Sequence, residues 1–389
     1  MDPVQNPYSP GAGRRPPELA GREPELHRFD VLRQRIEEGR SDRGLILTGL
    51  RGVGKTVLLN EFRARAEQPG WIVAKVEAGG TRPFRALVAQ SLNQALRSAT
   101  GRFGMGERLG RALAVFKAFT LNVAPDGSLA LGIDVEAGRG RADTGDLEVD
   151  LTELAVDLGG TARDLGVGTL LLVDEMQDLA AAELAAICAA SHEAGQRDVP
   201  FLVVGAGLPS LPVALTEAKS YAERLFEYHG VGPLDDVAAM SALVRPGRAR
   251  GVEWADQAAD RILSTAVGYP YFLQVYGRAT WDYAEASPID AEDAAVGIEV
   301  GRRELDVGFY GSRWERATAG QKAYLRALAK GGDEPSPTAE VARRMVRRPS
   351  DVSVARDQLI KKGLLYAPDR GTIAFTVPGM AEFIARQTA

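Results

Sequence analysis

The eight residues Gly49–Thr56 constrain the fold of this chain more than any other feature of its sequence. They fit the phosphate-loop pattern G-x-x-x-x-G-K-[ST], between an apolar run at 45–48 that predicts a strand and a stretch at 57–62 with a helical apolar face. In such a loop, backbone N–H groups surround phosphate oxygens, the lysine reaches the β- and γ-phosphates and the hydroxyl joins the Mg²⁺ shell. The pattern predicts a site for a nucleoside triphosphate with Mg²⁺. We expect contacts to the triphosphate from the loop and the next residue: Gly49, Leu50, Arg51, Gly52, Val53, Gly54, Lys55, Thr56 and Val57.

Two acidic residues close a second apolar run. Residues 169–173 predict a buried strand, and Asp174 and Glu175 follow it directly. Ligands of open parallel sheets lie at the carboxyl ends of the strands, so we expect both carboxylates to face the phosphates. Asp174 is then predicted to hold Mg²⁺ together with Thr56, and Glu175 to orient the attacking water, with Lys55 completing the catalytic set. The alternative is that the two acids merely begin an acidic loop.

The order of predicted elements indicates the fold class. A strand is predicted at 71–76, and unbroken apolar strands at 169–173 and 199–205 alternate with helical patterns, which is typical of a parallel sheet covered on both faces. After about Leu234 helical periodicity takes over. The sequence therefore predicts an α/β phosphate-loop core followed by a smaller helical lid.

The C-terminal pattern predicts a winged helix-turn-helix. Helices are expected at 321–328, 338–345 and 351–362, the last with Ser350 as its N-cap, before a hairpin over 363–377. Residues 301–389 hold 16 Lys and Arg against 10 Asp and Glu, although the whole chain has a net charge of −5. Double-stranded DNA is one predicted partner, and protein docking by the winged helix or a merely solvated basic face are the alternatives. The DNA-facing candidates are Ser353 and Arg356 for bases and Lys361, Lys362 and Arg370 for phosphates.

Two further segments have a distinct pattern. Residues 1–18 are dense in Pro and Gly and predict an extended arm. Between about 101 and 147 the periodicity weakens, and alternation over 119–123 and 129–135 around a Pro-Asp-Gly turn predicts an inserted hairpin. A flexible loop at 138–141 is expected after it.

Several classes of protein are disfavoured. The single cysteine, Cys188, cannot form an internal disulfide, and no apolar run approaches the ~20 residues that span a bilayer. The first residues lack the basic and apolar regions of a signal peptide, so we expect a cytoplasmic protein without a membrane role. The three histidines lack metal-site spacing, so a zinc site is not predicted.

Gly49–Thr56 and the segment 170–178 together resemble the Walker A and Walker B motifs of AAA-type ATPases, particularly the bacterial group similar to origin-recognition initiators. Gly21-Arg22-Glu23 resembles the entry motif of that group, and Gly268-Tyr269-Pro270 resembles a lid motif shared with the signalling ATPases. The resemblance covers about residues 19–300. It implies ATP binding and hydrolysis, with Arg22 and Pro270 near the nucleotide.

The resemblance also implies a role between subunits for one residue. In two places, however, this sequence departs from the family pattern. Arg224 precedes the expected fifth strand, where related proteins can present an arginine finger to a neighbour; a surface salt bridge is the alternative. The end of the fourth strand carries no polar residue before Ser210, and the lid motif carries no arginine. Because of these two departures, hydrolysis is expected to be slow. Because an arginine finger at Arg224 needs a neighbouring subunit, self-association in the ATP state is also expected.

We predict an extended arm (1–18), an ATPase core (19–233), a helical lid (234–305) and a winged-helix domain (306–389). The expected function is slow ATP hydrolysis coupled, through the angle of the lid, to a DNA-associated task. The alternatives are a signalling switch whose winged helix docks protein, and a non-catalytic nucleotide-binding scaffold.

Overall fold

A five-stranded parallel sheet forms the centre of the N-terminal half in this computed structural model, which describes residues 1–104, 106–121 and 140–387. In chain order its strands are β1 (Gly44–Thr48), β2 (Ile72–Glu77), β3 (Thr169–Asp174), β4 (Phe201–Gly207) and β5 (Phe226–Gly230). They lie in the order β2-β3-β4-β1-β5, and each neighbouring pair is parallel. The predicted α/β class with a parallel core is confirmed.

Helices cover both faces of this sheet. They are α1 (Glu23–Glu37), α2 (Lys55–Glu67), α3 (Phe84–Phe103), α4 (Glu107–Leu121), α5 (Leu147–Leu165), α6 (Ala181–Gln196), α7 (Leu211–Ala218) and α8 (Ala222–Leu225). Successive residues of β1 alternate between the faces, as the two-residue period of a strand requires. Leu45 and Leu47 join the core cluster that contains Phe29 and Phe62, whereas Ile46 joins the cluster on the other face. The continuous apolar run of each central strand is thus explained by burial on both sides.

A helical segment follows the sheet. It comprises α9 (Asp236–Arg248), α10 (Asp256–Ala266), α11 (Pro270–Tyr283) and α12 (Ala291–Glu304), which continues through a π-helical stretch (Leu305–Gly311) into α13 (Ser312–Glu315). Pro270 stands at the first position of α11, where a missing N–H costs nothing. The predicted boundary at 305 therefore lies inside continuous helix, and the domain boundaries stay predictions.

The C-terminal residues form three helices, a small antiparallel sheet and a closing helix. These are α14 (Ala319–Ala329), β6 (Ser336–Pro337), α15 (Thr338–Arg344), α16 (Pro349–Lys361), β7 (Leu365–Tyr366), β8 (Thr372–Phe375) and α17 (Met380–Arg386), with sheet order β6-β8-β7. We call residues 319–386 the C-terminal module. Its buried Tyr324, Leu359 and Phe375 belong to the same apolar cluster as β1 and the helices after the sheet, so the module packs onto the rest of the chain.

The predicted hairpin in the insertion is wrong in its first strand. Phe119 lies in α4, because it is buried together with Leu109, Leu113 and Phe116 and these residues recur at helical spacing. The rest of the predicted hairpin, and residues 138 and 139 of the predicted loop, lie outside the described residues.

Two local predictions also need correction. Ser350 is not the N-cap of α16, since the helix begins at Pro349 and Arg348 takes the cap position, its N–H donating to Asp351 Oδ2 at 3.3 Å. Proline, with its fixed φ, suits the first helical position, and the helix starts two residues earlier than predicted. The arm at 1–18 contains a 3₁₀ turn (Pro3–Gln5) and packs against the lid.

None of the helices in the described residues has the length and apolarity required to cross a membrane.

Candidate functional site

The phosphate loop connects β1 to α2 in a conformation that only glycine adopts readily. Gly52 and Gly54 have φ values of +92° and +97°, in the region that disfavours side chains. At Gly49 the reason is close packing, because a Cβ there would lie 2.2 Å from the carbonyl oxygen of Val231. The glycines of the pattern thus shape a loop whose N–H groups remain available at the start of α2.

Lys55 lies buried beneath this loop, with 7% of its surface exposed. Its Nζ donates to the carbonyl oxygens of Gly49 at 2.8 Å and Leu50 at 2.9 Å. Burial lowers the pKa of Lys55 to about 8, and the nearby carboxylates of Glu175 and Asp174 only partly oppose that shift. The ammonium is therefore short of negative charge, which a phosphate group would supply.

The two acidic residues lie where β3 ends, on the side of the phosphate loop. Asp174 is 2% exposed, and one of its carboxylate oxygens accepts the N–H of Glu175 at 2.9 Å. Glu175 has a φ of +49°, an uncommon backbone conformation for a residue with a side chain. Its carboxylate accepts from Arg51 Nη1 at 2.7 Å and from Gln177 Nε2 at 2.6 Å. The structure thus brings Lys55 together with both carboxylates.

A cavity of about 320 Å³ opens above the phosphate loop. Its walls come from the phosphate loop, Glu175, the N-terminal arm, the start of α11 and the end of the long helix that precedes the C-terminal module. Thr56 and Val57 line the cavity, as does Pro270. The volume is within the range of small-molecule sites.

Arg22 is hydrogen-bonded to the backbone of the phosphate loop. It is buried, and its Nη2 donates to the carbonyl oxygens of Val53 at 2.9 Å and Gly232 at 2.6 Å. Burial lowers its pKa, while the carboxylates of Glu25 and Glu23 act in the opposite direction. Arg22 also lines the cavity, so it both fixes the loop and borders the space above it.

The N-terminal arm closes one side of the cavity. Gly13, with a φ of +66°, accepts a hydrogen bond from Asn60 Nδ2 at 2.8 Å and lies so close to Thr56 that a Cβ would come within 2.8 Å of its methyl group. Tyr8, 3% exposed, anchors the arm to the lid, and its hydroxyl accepts from Trp254 Nε1 at 3.0 Å. The arm therefore connects the lid to α2.

The C-terminal module touches the phosphate loop directly. The N–H of Arg51 donates to the carbonyl oxygen of Thr376 at 3.0 Å. Beside this bond, Leu208, which follows β4, shares an apolar cluster with Tyr366 and Ala374 of the module. The residue after the module's last strand is thus hydrogen-bonded to the loop that would hold the phosphates.

Arg224 is not part of this cavity. It lies on α8, is exposed, and lines a second cavity of about 600 Å³ near the amino ends of β1 and β4, together with Arg43 and Arg163. The structure therefore does not bring Arg224 together with Lys55 and Glu175 within one chain.

The predicted DNA contacts fall into two groups. Lys361 and Arg370 are exposed on the C-terminal module. Lys362, in contrast, donates from Nζ to the carbonyl oxygen of Arg316 and to Gln321 Oε1, both at 2.7 Å, and so is engaged inside the protein.

The two base-facing candidates on α16 have local partners. Ser353 donates its hydroxyl to the carbonyl oxygen of Ser350 at 2.9 Å. Arg356 pairs with the adjacent Asp357 at 2.8 Å. The exposed surface of α16 therefore carries carboxylates as well as basic groups.

The sequence did not point to several residues of the site. Gln177 donates from Nε2 to the carboxylate of Glu175 at 2.6 Å, and its Oε1 accepts the N–H of Leu208 at 3.0 Å. Phe309 and Arg313 enter the cavity from a helix far along the chain. Only the Gln at the second position after Glu175 could have been suspected, since it lies within the same motif.

Comparison with known proteins agrees with this geometry. A family model described as AAA ATPase domain matches residues 18–204. This part of the chain is similar to AAA ATPase domains. A second family model, described as a domain of unknown function (DUF8462), matches residues 307–384. No curated protein matches the sequence.

Solved structures resemble nearly the whole chain. The Walker-type ATPase PABY2304 of Pyrococcus abyssi is 14% identical, with 95% of this chain and 97% of that chain covered and a TM-score of 0.62. Orc1 of Aeropyrum pernix in complex with DNA is 16% identical, with coverage of 95% and 93% and a TM-score of 0.48. The RuvB branch migration motor of Thermotoga maritima is 15% identical, with coverage of 97% and 100% and a TM-score of 0.44. The first similarity shows a shared fold, and the other two support no conclusion.

Proposed function

We propose that this chain binds ATP with Mg²⁺ in the cavity above the phosphate loop and hydrolyses it slowly. The observation that carries the proposal is the convergence of a buried lysine and two carboxylates beside that loop, in a part of the chain similar to AAA ATPase domains. Lys55 binds the β- and γ-phosphates, and the loop N–H groups bind the remaining phosphate oxygens. The arm and Arg22 enclose the opposite end of the cavity, where the base of the nucleotide lies.

The side chains at the edge of the sheet fit a magnesium ion. A threonine hydroxyl and a carboxylate are oxygen ligands, which Mg²⁺ prefers, and Thr56 and Asp174 supply them at the start of α2 and the end of β3. When bound, the ion neutralises charge on the phosphates. Glu175 then orients the attacking water and accepts its proton.

Slow hydrolysis follows from the pairing of Glu175. One carboxylate oxygen accepts from Arg51 at 2.7 Å and the other from Gln177 at 2.6 Å, so the hydrogen bonds that would orient a water are already taken. Turnover therefore requires that Arg51 release Glu175, for example by binding phosphate instead.

The test is nucleotide affinity in a folded variant. Lys55→Ala is expected to lose ATP binding, whereas Lys361→Ala, which removes an exposed lysine that does not line the cavity, should bind normally. Unchanged ATP affinity in a Lys55→Ala protein with a native thermal transition would contradict the site.

We also propose that the C-terminal module is a winged helix and that it contacts double-stranded DNA. Three helices with a small antiparallel sheet, the basic balance of residues 301–389, and exposed Lys361 and Arg370 support this. Binding to random duplex DNA should weaken steeply as salt increases, because bound counterions are released from the phosphates.

A second candidate is a nucleotide-dependent switch whose module docks protein. Two observations favour it: the bond from Arg51 N–H to Thr376 ties the module to the phosphate loop, and Asp357 pairs with Arg356 on the helix that would enter a groove. No measurable DNA binding at low salt would favour this switch. The mass in solution with ADP and with a non-hydrolysable ATP analogue then measures self-association, which Arg224 requires if it acts on a neighbouring subunit.

A further inference from the structure

Arg313 enters the nucleotide cavity from the helix that leads into the C-terminal module. It lies on α13, directly after the π-helical stretch Leu305–Gly311, and lines the cavity together with residues of the phosphate loop. Its guanidinium stacks on the ring of Phe309, 4.4 Å from the ring centroid, and donates to the carbonyl oxygen of the same residue. Phe309 in turn stacks on Tyr271 at the start of α11, with ring centroids 5.1 Å apart. These contacts hold the arginine against the cavity.

The guanidinium of Arg313 has no carboxylate partner among the residues that the structure describes. Glu175, which lines the same cavity, already pairs with Arg51. Arg313 is partly buried, and burial together with the positive charge of Arg51 lowers its pKa. A partly desolvated cation without an anionic partner is favoured further when an anion occupies the adjoining space.

The position of Arg313 identifies the end of the ligand that it faces. Arg313 lines the same cavity as Arg51 and Glu175, and its charge interacts with both, so it lies toward the part of the cavity where the attacking water would stand. None of the lysines and arginines of α9–α12 lines this cavity. The anion at that end of a bound nucleoside triphosphate is its terminal phosphate.

We infer that Arg313 is a specificity-determining residue that binds the terminal phosphate and so distinguishes ATP from ADP. The inference rests on the proposed ATP site. Because only a few residues separate Arg313 from Thr318, the N-cap of α14, the same contact ties the terminal phosphate to the first helix of the C-terminal module.

The experiment compares two nucleotides at equilibrium. Arg313→Gln, Arg313→Lys and the parent are titrated with ADP and with a non-hydrolysable ATP analogue in the presence of Mg²⁺. In Arg313→Gln the Kd for the analogue should rise at least about tenfold, the value of one charge-assisted contact, while the Kd for ADP stays within about twofold. Arg313→Lys should give a smaller rise, because an ammonium keeps the charge without the planar fork.

Arg303→Gln is the matched control. Arg303 lies on α12 and pairs with Glu299 on the surface, so neither Kd should change. If Arg313→Gln weakens both nucleotides equally, or neither, Arg313 only packs on Phe309 and the inference is overturned. If Arg313→Gln does not fold, Arg313→Lys decides, and an unchanged ratio of the two Kd values overturns the inference.

Lys55→Ala, measured alongside, separates this inference from the proposed function. Loss of binding in Lys55→Ala with an unchanged ATP-to-ADP ratio in the Arg313 variants refutes only the role of Arg313. Retention of both nucleotides by Lys55→Ala refutes the ATP site itself.

Discussion

The burial of Lys55 predicts that ATP binding takes up a proton above neutral pH. Burial lowers the pKa of Lys55 from 10.5 to about 8, although the carboxylates of Glu175 and Asp174 oppose the shift. A triphosphate beside the ammonium favours its charged form, so the pKa rises on binding. If it returns to its ordinary value, the change of about 2.5 units corresponds to about 3.4 kcal/mol, or about 300-fold in affinity.

The sign of the effect is fixed by which state holds the proton. Well below pH 8 Lys55 is charged in the free protein and in the complex, so this group adds no pH dependence to Kd. Above pH 8 the free protein loses the proton while the complex keeps it, and Kd rises by up to about tenfold per pH unit. Without nucleotide, the unfolded chain binds more protons than the folded one between pH 8 and 10.5, so stability rises with pH in that window.

Calorimetric titration at pH 8 in two buffers of different ionisation enthalpy measures the uptake directly. About half a proton per ATP is expected, since the pH equals the pKa of the free lysine and the terminal phosphate, with a second pKa of about 6, is already ionised. Lys55→Arg stays charged and should abolish the uptake. Lys75→Arg, at a neighbouring lysine whose pKa is also lowered by burial, should keep it. Equal uptake by Lys55→Arg and the parent would refute the reasoning.

Three other changes test the site and its support. Glu175→Gln should lower ATP turnover by about a hundredfold or more while ADP affinity is unchanged, as steady-state and binding measurements would show; equal turnover would indicate a non-catalytic scaffold. Gly13→Val would place side-chain atoms against Thr56 in a strained backbone, so thermal shift should show less stabilisation by ATP. Asp150→Asn breaks a buried pair with Arg85 at 2.7 Å and should lower the free energy of unfolding in urea by about 3–5 kcal/mol; a loss below about 1 kcal/mol would contradict the burial argument.

The core of the fold was predictable because its signals are local. The alternation of apolar strands with helical periods identified a parallel sheet, and the glycines at 49, 52 and 54 identified the loop between β1 and α2. Asp174 and Glu175 could be placed beside that loop because carboxyl ends of parallel strands share one edge. Each of these inferences needs only neighbouring residues and a general rule of topology.

The rest could not be predicted because it depends on distant contacts. Nothing near residue 313 indicates that a helix joining two segments of the chain would bring its arginine to a loop some 260 positions earlier. The contacts of the arm could not be predicted either, because a Pro- and Gly-rich stretch does not indicate the pocket that receives Tyr8. In α4 the short alternation at Phe119 was misleading, since the helical period over Leu109–Phe116 decides the structure.

The phosphate loop is connected on both sides to groups that matter for the proposed function. On one side the guanidinium of Arg51 holds the carboxylate of Glu175, and on the other its N–H holds the carbonyl of Thr376 in the C-terminal module. A phosphate that draws Arg51 toward itself would therefore free the carboxylate and strain the bond to the module at the same time. Coupling between two sites requires an element with two arrangements that both sites bias, and Arg51 would be such an element if its guanidinium exchanged the carboxylate of Glu175 for a phosphate. We therefore expect the position of the C-terminal module to follow nucleotide occupancy before it follows hydrolysis.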